Sequence, residues 1–80
     1  MKIPAIKKLV ETQTIESLRH AEELLLEEQQ PDFEIEGADE GEQLTHVFGA
    51  IWILNHMQDN GTDFKTALRE FTQKVRVSIN

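Results

Sequence analysis

Cysteine is absent from the 80 residues of this chain. Without it the protein has no disulfide bond, no thiolate metal site and no cysteine nucleophile, and it suits the reducing cytoplasm, where we expect it to act. Glycine is also scarce: the four glycines are scattered singly. A phosphate-binding loop needs clustered glycines, so no such loop is expected.

Long hydrophobic runs are absent as well. The longest apolar run covers residues 47–54, well short of the roughly 20 residues that a membrane-spanning helix needs. Near the N-terminus, Lys7 and Lys8 interrupt the apolar stretch that a signal peptide would require. We therefore expect neither a signal peptide nor a membrane partner.

Positive charge is in short supply, with eight basic residues against fifteen acidic ones and a net charge of −7. Between Glu11 and Glu42 the chain carries twelve acidic residues and one basic residue, Arg19. Such a field repels phosphate backbones and anionic lipid. Nucleic acid and membrane surfaces are accordingly not expected as partners.

What the sequence does contain is helical periodicity. Apolar spacing and helix-end signals predict one all-α domain over residues 1–80, with helices at about 3–11, 14–29, 42–59 and 63–77. Thr14 is a typical N-cap, Pro31 is expected to end the second helix, and Asn60 with Gly61 stops the third. Residues 31–41 form a short extended acidic connection.

The third predicted helix is apolar around most of its circumference. One wide face carries large side chains, and Ala50, Ile53 and Met57 extend the apolar surface onto a second face. So short a chain would leave part of this surface exposed, which predicts a homodimer built around that second face. Gly49 would let a partner helix approach closely. Alternatively, the extended segment at Phe33 and Ile35 folds back and covers the second face within one chain.

Residues 32–42, which overlap the acidic connection, resemble part of a calcium-binding loop. Asp32, Glu34, Glu36 and Gly37 match the pattern, but Gln43 stands where a bidentate carboxylate is required. We expect a solvated acidic loop. Cation binding remains an alternative.

Two Glu–His pairs have the i, i+4 spacing that places both side chains on one helix face, Glu16 with His20 and Glu42 with His46. They suggest a metal- or ligand-dependent enzyme as an alternative function. The Glu-x-x-His spacing of di-iron bundles is absent, and neither serine has a histidine and an acid at suggestive spacing. We therefore expect histidines on helix surfaces and assign no catalytic, cofactor-binding or metal-binding residue.

Three stretches of the chain resemble a small family of uncharacterised bacterial proteins, a domain of unknown function. They are DEGEQLTH (39–46), IWIL (51–54) and residues 63–76; the N-terminal Lys-Ile-Pro and the Glu-Glu-Gln ahead of Pro31 fit too, so the likeness covers nearly the whole chain. The resemblance offers no catalytic residue to transfer. It implies that the genes of family members lie near thioredoxin and peroxiredoxin genes. A chain without cysteine could only assist such enzymes.

Taken together, these features favour a non-enzymatic protein–protein interaction or accessory module that self-associates. Its protein partner is not identified by the sequence, and no cofactor is expected. The rival hypotheses are the enzyme that uses helix-borne His and Glu, and the cation site at residues 32–42.

Overall fold

The structure, a computed structural model, describes residues 2–79, and side chains as far as Val75. Its four helices are α1 (Ile3–Thr12), α2 (Ile15–Leu26), α3 (Glu40–Asn60) and α4 (Phe64–Ile79). No strand occurs in this part of the chain, and residues 27–39 connect α2 to α3 irregularly. The predicted all-α class and the number of helices are confirmed.

The start of α2 is set by a reciprocal pair of hydrogen bonds. The Thr14 hydroxyl accepts from the backbone N–H of Ser17 at 3.1 Å, and the Ser17 hydroxyl accepts from the N–H of Thr14 at 3.0 Å. This capping box satisfies two donors that a helix start otherwise leaves unpaired. The predicted cap at Thr14 is confirmed.

The end of α2 differs from the prediction, because the helix stops at Leu26 rather than near residue 29. The N–H of Gln29 donates to the carbonyl of Leu24 at 2.8 Å, and that of Glu28 donates to the carbonyl of Leu25 at 3.1 Å. With Glu28 at φ +61°, this is a Schellman motif. Glycine or asparagine usually occupies that left-handed position, so a glutamate gave no sign of the stop.

Acidic residues cap both later helices. The Asp39 carboxylate accepts from the N–H of Glu42 at 2.8 Å, which starts α3 two residues before the predicted position. Gly61, at φ +62°, ends α3 as predicted. The Asp63 carboxylate accepts from the N–H of Thr66 at 2.9 Å, and this hydrogen bond lowers the pKa of Asp63 below its usual value.

Two of the helices pack against α3 with directions fixed by particular contacts. The start of α1 meets α3 where Lys2 bonds to His46, and four residues later Ile6 lies beside Gly49, so α1 and α3 run parallel. Phe71 of α4 reaches both Gly49 and Trp52, its ring centroid 5.7 Å from that of Trp52. After the turn at Gly61, α4 therefore returns antiparallel to α3.

The remaining helix, α2, covers a third side of α3. Its first turns share a cleft with Gln58, so the start of α2 lies beside the end of α3. Helix α3 is thus surrounded on three sides by the rest of the chain, as its apolar circumference predicts.

One hydrophobic core joins all four helices and the connection. Ile35 from the connection is buried in it, and Phe33 packs against it, so this segment does fold back onto the domain. The buried members are Ile6, Leu9, Leu18, Ala21, Leu25, Ile35, Val47, Ala50, Ile53, Ala67 and Phe71. No helix in the described part of the chain combines the length and apolar composition needed to cross a bilayer.

Candidate protein-binding surface

The residues predicted to form a dimer interface lie in the core of a single chain. Ala50 and Ile53 are 0% exposed, Gly49 is buried, and Met57 is partly buried against the core. A methyl group at Gly49 would lie 3.1 Å from Cδ1 of Ile6 and from Cζ of Phe71, so the small residue admits helices of its own chain. The predicted placement of the interface is therefore corrected, whereas dimerisation itself stays a prediction.

The accessible face of α3 lies on the opposite side of the helix. At 100° per residue, Leu44, Phe48, Ile51 and Asn55 form one stripe pointing away from the buried positions. Phe48 at its centre is 50% exposed, and its three neighbours are partly buried. The wide face that carries the large side chains is thus partly open to solvent.

A second exposed hydrophobic side chain lies on α2, where Leu26 is 62% exposed. Ile15, Arg19, Glu22 and Leu26 follow one another at i, i+4, i+7 and i+11, so they lie along one side of α2. The first two of them line a cleft of about 450 Å³ together with Gln58 of α3. The first turns on this side of α2 therefore lie beside Gln58, near the end of α3.

Leu26 and Phe48 are the same number of residues from the cleft, each along its own helix. Leu26 follows Glu16 by ten residues and Phe48 precedes Gln58 by ten, and Glu16 shares the cleft with Gln58. At about 1.5 Å per residue, each residue lies about 15 Å along its own helix from the cleft. We call the surface formed by Leu26, Leu44, Phe48 and Ile51 the outer seam.

Sequence reasoning did not identify the outer seam, although one signal was available. Leu24, Leu25 and Leu26 follow one another, and three consecutive helical positions are spread over about 200°. They cannot all face one core. Among residues 2–75, Leu26 and Phe48 are the two large hydrophobic side chains that remain exposed.

His46 lies in the core at 0% exposure, in contrast to the predicted surface location. Its Nε2 accepts from the backbone N–H of Lys2 at 3.0 Å, and its Nδ1 is 2.7 Å from the carbonyl oxygen of Glu36. A carbonyl only accepts and an amide N–H only donates, so the ring is the neutral tautomer with its proton on Nδ1. His46 ties the start of α1 and the connection to α3.

The Glu–His pairs do not form the arrangement predicted for a metal site. Instead of joining His46, the Glu42 carboxylate accepts from the N–H of Ala38 at 2.9 Å. Glu16 and His20 are both exposed on α2. Within the described part of the chain, no three His, Asp or Glu side chains are grouped closely enough to hold a metal ion.

The third histidine, His56, stacks on the indole of Trp52 with ring centroids 4.9 Å apart and an interplanar angle of 10°. Trp52 in turn packs against Phe71 in the core. Trp52 therefore lies on the side of α3 that faces α4, between the core and the accessible stripe.

The acidic connection borders an open, mostly polar cleft of about 510 Å³ between it and the N-terminal segment. Glu34 and Glu36 line this cleft, and Asp32 is exposed beside them in the connection, while Asp39 uses its carboxylate as the cap of α3. Gly37 lies very close to Gln43. A methyl group on Gly37 would be 2.8 Å from the backbone nitrogen of Gln43. These contacts give the connection a structural role, and cation binding by it stays an alternative hypothesis.

One comparison with known proteins gives a match over the whole chain. The model of a protein family described as "Family of unknown function (DUF6952)" matches residues 1–80. None of the curated proteins and none of the solved structures matches. The resemblance to a domain of unknown function is confirmed, and the functional interpretation rests on the surface of the domain.

Proposed function

We propose that this chain, which belongs to the DUF6952 family of unknown function, is a non-enzymatic interaction module of the bacterial cytoplasm that binds a partner protein at the outer seam. The observation that carries the proposal is the exposure of two large hydrophobic side chains on helices that pack together, Leu26 at 62% on α2 and Phe48 at 50% on α3. Single exposed apolar residues are common on protein surfaces. Two large ones on helices that pack together mark a candidate surface, because apolar patches mark interaction sites.

The chemistry of the seam suits protein binding. Phenylalanine is enriched in the buried centres of interfaces, and such anchors carry much of the binding energy. Full burial of a Leu or Phe side chain contributes about 1.5–3 kcal/mol, so covering the exposed parts of Leu26 and Phe48 contributes about 2–3 kcal/mol together. The partly buried Leu44 and Ile51 add to this when a partner excludes water.

The histidines support binding over catalysis. A general base or metal ligand needs a free ring nitrogen, and both nitrogens of His46 are engaged by backbone groups. His20 is exposed on α2, whereas His46 is buried. The enzyme hypothesis that pairs His20 with His46 therefore lacks the shared site it requires.

Self-association is a second form of the same proposal. A two-fold dimer uses one patch on both subunits, and the outer seam offers such a patch in place of the buried residues around Ala50. Light scattering of the purified chain distinguishes the two forms, since a dimer doubles the mass of 9.2 kDa.

Photo-crosslinking followed by reconstitution tests the proposal. A photoreactive amino acid is placed at position 48 in one variant and at exposed Gln73 of α4 in a matched control, and adducts are identified from native cells. A protein captured at position 48 is then purified and titrated into the unmodified chain, Phe48→Glu and Gln73→Glu. We expect Phe48→Glu to weaken binding at least about tenfold and Gln73→Glu to leave it unchanged.

Two results would contradict the proposal. One is an equal pattern of adducts at positions 48 and 73. The other is a captured protein that binds Phe48→Glu and the unmodified chain equally well, with circular dichroism showing that both variants are folded.

A further inference from the structure

We infer that His46 is an acid-sensitive release for the start of α1. A second proton on its ring breaks the hydrogen bond to Lys2 and leaves the bond to Glu36 in place. Within the part of the chain whose side chains the structure describes, His46 is the one buried polar residue. This device is independent of the proposed function, because His46 is not part of the outer seam.

The two ring nitrogens of His46 have opposite hydrogen-bonding roles. Nε2 accepts from the backbone N–H of Lys2 at 3.0 Å, whereas Nδ1 carries the proton and donates to the carbonyl oxygen of Glu36 at 2.7 Å. A second proton goes to Nε2, because Nδ1 already has one. The new N–H then faces the N–H of Lys2 with no acceptor between them. The bond to Glu36 needs only a donor, and it becomes stronger because the donor is charged.

The start of α1 has no local substitute for the lost bond. The three later helices have side-chain caps, whereas Lys2, the N-cap residue of α1, makes no cap hydrogen bond with its side chain. His46 supplies from 44 residues away what Ser17 supplies locally at α2, an acceptor for the N–H of the N-cap residue. No acidic residue lies in the first turn of α1, so a positive ring would meet the positive end of the helix dipole without compensation.

A small local opening is enough to bring water to the ring. Lys2 and Glu36, whose backbone groups bond to the ring, both line the open polar cleft of about 510 Å³. While the start of α1 is docked, the ring of His46 is 0% exposed. When the start of α1 moves away, the ring gains water and can take up the second proton. Acid therefore favours the released form, and the docked form is complete at neutral pH and lost as pH falls.

The charged groups on the surrounding elements do not bond to the ring. Those that line the cleft, or lie one turn before His46 on α3, are Lys2, Glu34, Glu36 and Glu42. On α2, Glu22 is half-buried; the other charged residues of α1, α2 and α4 within residues 2–75 are exposed. In this part of the chain no charged side chain is a hydrogen-bond partner of the ring, so the two backbone bonds decide which protonation state is compatible with docking.

A pH titration of the isotope-labelled full chain tests the release. NMR follows the ring of His46 from about pH 8 to about pH 5, the range in which histidine changes charge. Solvent exchange is measured at two matched amides: the N–H of Ile6 donates to the Lys2 carbonyl at 3.3 Å, and that of Leu18 donates to the Thr14 carbonyl at 3.0 Å. After correction for the intrinsic pH dependence of exchange, we expect the protection of Ile6 to fall at least about tenfold as the ring gains its second proton. The protection of Leu18 should not change.

Two variants assign the effect to His46. In His46→Phe the bond to Lys2 is missing at every pH, so we expect weak protection of Ile6 that does not change across the range. His20→Phe removes an exposed histidine, and Ile6 should lose protection on acidification as in the unmodified chain. The titration of the unmodified chain decides the question even if His46→Phe fails to fold.

Three outcomes would overturn the inference. One is a protection of Ile6 that stays constant to about pH 5, whether or not the ring of His46 gains its second proton. Another is an equal fall at Ile6 and Leu18, which indicates that acid loosens the whole fold. The third is an acid-induced fall at Ile6 that persists in His46→Phe.

Discussion

Replacing His46 with phenylalanine is the sharpest test of how the domain is held together. The substitution keeps a ring in the buried site but removes both of its hydrogen bonds, the one to Lys2 at 3.0 Å and the one to Glu36 at 2.7 Å. Each intramolecular hydrogen bond contributes about 1 kcal/mol net, so we expect the free energy of unfolding to fall by about 2 kcal/mol. For a domain of this size that corresponds to a fall in Tm of about 8–16 °C.

Urea and thermal unfolding followed by far-UV circular dichroism measure the change. His20→Phe is the matched control: because His20 is exposed on α2, we expect its effect to stay within about 0.5 kcal/mol. In the unmodified protein, ¹⁵N NMR should show the proton of His46 on Nδ1. Equal stability of the two variants, or a proton on Nε2, would refute the role assigned to His46.

Three further predictions concern local geometry. Glu28→Gly should raise the free energy of unfolding by about 1 kcal/mol, because Glu28 holds the left-handed position of the Schellman motif at φ +61°. Gly37→Ala should lower it by about 1–3 kcal/mol, since the methyl group would lie 2.8 Å from the backbone nitrogen of Gln43. Asp63→Ala should lower Tm near neutral pH. Its effect should fade as pH drops, because the lowered pKa of Asp63 means that its contribution is complete above its usual value of 3.8 and is lost as pH falls through the folded value.

Neighbouring substitutions are the controls for these three changes. Glu27→Gly, at φ −93°, should give no gain in stability. Gly41→Ala should be tolerated, because its methyl group would meet nothing closer than 3.4 Å. Matching effects at positions 27 and 28, or at 37 and 41, would contradict the local explanations. An effect of Asp63→Ala that grows on acidification would contradict the cap.

The helices were predictable because most of their end signals are local in sequence. Thr14 and Gly61 act through hydrogen bonds or backbone conformation within a few residues, and the structure uses both as predicted. The end of α2 was not predictable in this way. Glu28 adopts a left-handed backbone conformation that a residue with a side chain does not favour. The local sequence therefore did not indicate that α2 ends there.

The orientation of α3 could not be predicted from its residues alone. Both faces are apolar, so the pattern of residues does not indicate which one lies deeper in the core. The structure buries the face with Gly49 and Ala50 most deeply, because small side chains let α1 and α4 approach closely. Phe48 on the bulkier face is left half exposed as a result.

The partners of His46 could not be predicted from the sequence either. Its spacing from Glu42 suggested a pair on a helix surface, but its partners are backbone groups of Lys2 and Glu36, 44 and 10 residues away. Backbone partners at a distance leave no pattern in side-chain spacing.

The most direct test of the outer seam is to map the binding surface with the captured partner itself. The ¹⁵N- and methyl-labelled chain is saturated with the unlabelled partner, and cross-saturation is measured at every assigned site. We predict that the largest losses fall on Leu26, Leu44, Phe48 and Ile51, with little effect at Gln73. Losses centred on α4 or on the acidic connection, with the outer seam unaffected, would contradict the proposal that the partner binds at the outer seam.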